Sequence, residues 1–255
     1  MKKPIIRNTL LIIVAAIVLV PLTCYSIAPT QPSGNQPAAK SQAKASNNIV
    51  IKKENGLIFY YPQFKSMAFA CETMPQPTDE NVLMCCEAAF TGKLLTKFDH
   101  TNIAGHHVSG GKFHKGYTCR ANSGYFEWNK TTGKWKFAKG TYTKASSDGV
   151  YAAFEQALVI YNGTKNTKQP QKTTSKNEYR VLAELNGKLC IIDSDGTTAY
   201  SAFIANLLKA GVKHALYLDM GPGWNYSYYR DNDNQVQYIH TQKLRFTTNW
   251  IVFKK

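Results

Sequence analysis

The 255 residues are 44% hydrophobic and 18% charged, which excludes an intrinsically disordered chain and allows one sizeable core. Lys and Arg number 31 against 16 for Asp and Glu, a formal net charge of +15. That excess favours anionic partners such as phosphate-bearing glycans or anionic lipid. No nucleic acid is expected, because the N-terminus argues for export.

Lys2, Lys3 and Arg7 precede an uncharged run from Thr9 to Val20, the pattern of a secretory signal. The apolar stretch continues past Pro21 to Ile27, long enough to serve as an uncleaved anchor. The basic start then stays inside and the rest of the chain lies outside. Pro21-Leu22-Thr23 lack the small residue that lipidation of Cys24 needs. Residues 1–28 are expected to be a signal peptide or membrane anchor. Residues 29–48, built of Pro, Gln, Ser, Ala, Asn and Lys, are expected to be a disordered linker. The folded domain is expected over 49–255, outside the cytoplasm, membrane-anchored or in the periplasm or cell envelope.

Leu57–Tyr61 and Met67–Cys71 read as strands, and Val82–Phe90 as a long buried one. Tyr125–Trp128 and Trp135–Phe137 read as a hairpin of alternating aromatics around Gly133. Val150–Tyr161 is ambiguous, with an Ala/Glu/Gln start that suits a helix and a β-rich end. Residues 162–177 are a polar, basic loop. Arg180–Glu184 and Leu189–Asp193 are strands joined through Asn186-Gly187, a strong hairpin signal. Thr198–Leu208 has helical spacing of Ala199, Ala202, Phe203 and Leu207, with Gly211 as its stop. His214–Leu218 is the next strand, and Trp250–Phe253 closes the sheet. The fold class implied is α+β: a mixed β-sheet with packed helices, in a single globular domain after the N-terminal membrane segment.

The chemistry is expected where the last buried strand ends. Ala215-Leu216-Tyr217-Leu218 runs into Asp219, then into a turn of Gly221, Pro222 and Gly223 followed by Trp224 and Asn225. Gly and Pro end strands because their backbone angles do not suit a ladder. Asp219 is therefore expected at a strand mouth, over glycines that let a ligand come close. The plainer alternative is a turn-initiating Asp.

This stretch resembles the "A-L-x-L-D-G-G-G-S" signature of the phosphodiester glycosidase family, with Met220 and Trp224 in place of the family's Gly and Ser. The resemblance runs from about Ser66 to the C-terminus. It implies hydrolysis of a sugar–phosphodiester bond, with Asp219 as general acid/base or nucleophile. It also places a basic residue at Arg180, whose planar fork suits phosphate. The family's "N-G-G-x-F" motif has two candidate counterparts, Glu87-Ala88-Ala89-Phe90-Thr91 and Asn122-Ser123-Gly124-Tyr125-Phe126. The first makes Glu87 the second carboxylate; the second brings in Asn122.

His106 and His107 precede Val108-Ser109-Gly110-Gly111, and on a strand only one of the two faces the site. A similar run in bacterial members of the family singles out His107 as acid, base or ligand. A divalent metal is compatible with these histidines, although no spacing specifies one. Trp224 with Tyr226, Tyr228 and Tyr229 reads either as a sugar platform or as core, and Arg230 beside them as a phosphate contact. Cys71, Cys85, Cys86, Cys119 and Cys190 are read as mainly buried free thiols with at most one bridge. The function expected is an exported hydrolase of phosphodiester-linked sugars. The alternative is a non-catalytic envelope module that binds anionic glycans.

Overall fold

The structure is a computed structural model and describes residues 47–92, 99–221, 226–240 and 249–255. The expected membrane segment and nearly all of the linker lie outside the described residues, as do Pro222, Gly223, Trp224 and Asn225. No described helix is long and apolar enough to cross a membrane.

In chain order the strands begin with β1 (Ile49–Glu54), β2 (Leu57–Pro62), β3 (Ser66–Cys71) and β4 (Val82–Glu87). A 3-10 turn at His100–Asn102 precedes β5 (His107–Ser109), β6 (Lys112–His114), β7 (Gly124–Asn129) and β8 (Trp135–Lys139). Next come β9 (Val150–Gln156), β10 (Leu158–Tyr161), β11 (Thr164–Lys165), β12 (Lys176–Asn177), β13 (Arg180–Leu185), β14 (Lys188–Ser194) and β15 (Thr198–Ala199). Helix α1 (Tyr200–Lys209) is followed by β16 (His214–Tyr217), β17 (Ser227–Arg230), β18 (Val236–His240) and β19 (Asn249–Lys254).

These strands form a first sheet of seven in the order β1-β2-β14-β13-β16-β10-β11, a second of five, β18-β17-β4-β19-β3, a third of five, β6-β5-β9-β7-β8, and a two-stranded ladder of β12 with β15. Side-chain alternation gives the first sheet two buried faces. Tyr60, Leu182, Ile191 and Leu216 face a core shared with Phe69, Met84, Cys86 and Ile251 of the second sheet and Phe126 and Phe154 of the third. Their neighbours Phe59, Val181, Ile192 and Ala215 face the other way, under Phe203, Ile204 and Leu207 of α1. Each of these helix side chains contributes roughly 1.5–3 kcal/mol by leaving water.

The fold is therefore not α+β with packed helices. Strand accounts for 49% of the described residues and helix for 7%, and α1 is the one α-helix among them. Tertiary pairing overrides propensity at Val150–Gln156. There the Ala/Glu/Gln segment is a strand between β5 and β7, and Glu155 Oε1 accepts from Tyr142 N at 2.9 Å. The run passes through Ala157 into β10 and so crosses from the third sheet to the first. β19 also departs from expectation. It does not close the sheet that holds β16 but lies between β4 and β3 in the second sheet.

The hairpins follow their turn residues. Asn186 and Gly187 have φ of 52° and 68°, the left-handed pair of a two-residue turn, and they set Leu185 opposite Lys188. Gly110 and Gly111, at φ 59° and 83°, likewise set Ser109 opposite Lys112.

Candidate active site

Two strands from different sheets end side by side. β16 runs down the first sheet to Leu218 and Asp219, and β4 runs down the second sheet to Glu87. Asp219 N donates to Ala88 O at 3.1 Å, which joins the two ends. The loop after Glu87 is fastened from the other side by Asn249, whose Oδ1 accepts from Ala89 N at 2.7 Å and whose Nδ2 donates to Ala89 O at 2.9 Å. Glu87-Ala88-Ala89-Phe90-Thr91 is thus the stretch that flanks Asp219.

Asp219 keeps some surface, and Gly221 N donates to its Oδ1 at 3.1 Å. Burial pushes its carboxyl up to about 6, against the pull of N–H donors from Gly221, Thr91 and Met220. Glu87 is 1% exposed, and neither of its carboxyl oxygens has a hydrogen-bond partner among the described residues. Burial raises it well above the usual carboxylate range, with the charges of Asp219 and Asp193 adding to the effect and Arg180 opposing it.

Arg180 is fully buried at the start of β13, and its O accepts from Leu218 N at 3.0 Å. Its fork closes on Asp193, Nε to Oδ1 and Nη2 to Oδ2, both at 2.7 Å. Burial alone would lower its basicity, but Asp193 outweighs that and holds it further up. The remaining Nη1 stands 3.8 Å from Glu87 Oε2 without a hydrogen bond of its own. One guanidinium thus faces two carboxyls: its fork closes on Asp193, and burial holds the Glu87 carboxyl well above the usual range. The fork expected to hold phosphate is occupied by the protein.

Arg230 does not join this group. Its donors go to Val82 O, Asn234 O, Pro77 O and Asp79 O, beside the opposite end of β4 from Glu87. It fastens loops rather than offering a free phosphate site. Asn122 lines a small cavity of about 70 Å³ with His106, Cys119 and Glu155, its Nδ2 donating to Ala104 O at 3.3 Å. Gly124 in the same stretch is a packing residue, since a Cβ there would lie 2.5 Å from Ala138 O and 2.8 Å from Leu158 Cβ.

His106 and His107 face opposite ways. His107 is fully buried, with Nε2 2.8 Å from His100 Nδ1, and burial lowers its basicity to about 3. No described contact links it to Asp219, Glu87 or Arg180. Tyr228 is core, beside Cys85 and Trp250. Tyr229 instead lines a cleft of about 310 Å³ with Tyr60, Tyr238, His240 and Asp193. A larger cleft of about 470 Å³, lined by Tyr61, Phe64, Trp135 and Lys188, lies at the hairpin end of β13 and β14, away from the carboxyls. Cys71, Cys85, Cys86, Cys119 and Cys190 are all free thiols. Asp193, to which no motif in the sequence pointed, is the partner that occupies Arg180.

Fold and site together define a mostly β domain that presents two neighbouring carboxyls where strands of two sheets converge. The chain is similar in structure to the catalytic domain of zebrafish N-acetylglucosamine-1-phosphodiester alpha-N-acetylglucosaminidase, solved auto-inhibited by its pro-peptide. The TM-score is 0.56 at 12% identity, over 84% of this chain and 85% of that one. Identity that low shows a distant relationship of fold. No protein-family model and no curated protein matches the sequence.

Proposed function

We propose that the protein is an exported hydrolase that cleaves a sugar–phosphodiester bond in an envelope or host glycan. The observation that carries this reading is Asp219, a carboxyl raised to about 6 that keeps surface at a strand end, backed by the buried Glu87 and Arg180. The distant likeness in fold to a phosphodiester glycosidase supports it. Above pH 6 Asp219 is ionised and attacks the anomeric carbon or takes a proton from the attacking water. The anomeric C–O bond breaks with its electron pair going to the phosphate oxygen. A phosphate monoester anion is a weak base and leaves without a strong acid, so one carboxylate that keeps some surface suffices. Glu87, behind Asp219, is a positioning residue whose retained proton keeps a second negative charge away.

A panel of sugar-1-phosphodiesters tests this, with Asp219→Asn beside wild type. Turnover should fall at least about a hundredfold in the variant. Equal turnover by both proteins rules out the role of Asp219.

The second reading is an envelope module that binds anionic glycans without cleaving them. It is favoured by the engagement of Arg180 and Arg230 within the protein, which leaves attraction of an anion to the chain's net charge of +15. Glycan binding by wild type with no turnover of any panel member would select it.

A further inference from the structure

Away from the carboxyls, Cys71 at the end of β3, His100 in the 3-10 turn and His107 at the start of β5 bring Sγ and two ring nitrogens within 4.8 Å of one another. We propose that these three side chains bind a zinc-class metal ion that joins the second sheet to the third. The proposal is independent of any role for Asp219.

The placement of the ring nitrogens carries the argument. His107 Nδ1 faces Gly105 O at 3.3 Å, and its Nε2 lies 2.8 Å from His100 Nδ1. Cys71 Sγ completes a group whose three donor atoms all lie within 4.8 Å of one another. With an ion between them, both rings present lone pairs to it, His107 donates from Nδ1 to Gly105 O, and His100 Nε2 faces the Glu72 carboxylate, 4.0 Å away. A backbone carbonyl and a carboxylate behind ligating histidines are the usual means of orienting them.

The donor set suits the ion. One thiolate and two imidazoles match zinc, which binds sulfur at about 2.3 Å and nitrogen at about 2.0–2.1 Å and keeps a fourth position for solvent. Two nitrogens on such an ion stand roughly 3.3 Å apart, so the histidine pair has only to open slightly. Cys71 and His100 are half-buried, which gives an ion a route in. Glu72 takes a φ of 66°, a left-handed backbone uncommon for this residue, directly after the proposed ligand. His114 stacks flat on His100 at 3.5 Å between ring centroids and walls the group without adding a ligand.

The test uses the purified protein stripped with chelator and reloaded with Zn²⁺ or Co²⁺. Wild type should retain about one equivalent of zinc after dialysis, and saturating zinc should raise its melting temperature by about 5 °C. Cobalt should give a near-ultraviolet thiolate charge-transfer band that Cys71→Ser lacks. Glu72→Gln, on the surface, should keep the fold and weaken metal binding about tenfold, and His114→Gln should bind as wild type does. A folded wild type with neither retained zinc nor a thermal shift overturns the proposal and leaves a proton-bridged histidine pair. Cobalt binding by Cys71→Ser with the wild-type spectrum overturns it as well.

Discussion

Glu87 Oε2 and Arg180 Nη1 stand 3.8 Å apart, both buried and neither hydrogen-bonded among the described residues. A buried charge pair this loose recovers little of its desolvation cost, whereas the Asp193 fork at 2.7 Å recovers much more. Arg180 therefore belongs with Asp193, and Glu87 is left without a close partner, its carboxyl raised by burial.

Arg180→Ala should then act on stability before it acts on binding. It strands Asp193 in the interior, at a cost of about 3–5 kcal/mol. Arg180→Met combined with Asp193→Leu should recover most of that loss. Urea unfolding of Arg180→Met, Asp193→Leu and the double variant measures the coupling; additive losses would contradict the pairing.

Asp219 gives stability a pH dependence of known sign. Its carboxyl lies higher in the folded state, about 6 against an ordinary 3.8. The stability it contributes is fully present below about 4 and is lost as pH rises through 6. Asp219→Asn should match wild type in melting temperature near pH 4 and exceed it above pH 6. An advantage confined to low pH would refute the assignment.

Activity should rise with pH through about 6 as Asp219 ionises. Glu87→Gln keeps a neutral side chain at that position and should preserve this ascending limb. A pH–rate profile of kcat/KM for wild type and Glu87→Gln checks it; a limb that vanishes with Glu87 would transfer the titration to that residue.

Gly124→Ala should destabilise the fold by about 1–3 kcal/mol, because the new methyl would press on Ala138 O and Leu158. Wild-type stability in this variant would show that β7 has room the structure does not give it.

Thiol labelling separates exposure from bonding. Native protein should leave Cys85, Cys86 and Cys190 unmodified, and denatured, unreduced protein should expose all of Cys71, Cys85, Cys86, Cys119 and Cys190 to alkylation. Mass spectrometry that finds any of them bridged would contradict the free thiols.

Much of this site could be reached by counting residues. The Asn186-Gly187 turn sets 185 opposite 188, and stepping outward places Arg180 opposite Asp193. The Gly110-Gly111 turn places His107 opposite His114 in the same way. Asp219 stood out because an apolar strand stops there. What composition and period could not supply was pairing between distant strands. Nothing local tells that Asn249 fastens Ala89, 160 positions away, or that Ala152 and Ala153 sit in a strand flanked by β5 and β7. Arg230 beside three tyrosines read as a binding surface because its carbonyl partners at Pro77, Asp79 and Val82 come from a different part of the chain.

The unbroken passage of the chain from β9 through Ala157 into β10 limits how the molecule can move. Phe154 pairs with His107 in one sheet and Leu158 with Leu216 in another, four residues along a single extended backbone. Ala157 O also accepts from Tyr217 N at 2.9 Å, two residues before Asp219. A taut ribbon shared by two sheets has no slack to act as a hinge. The first and third sheets cannot part like jaws, so a ligand as bulky as the proposed glycan would have to be met by a framework that stands still.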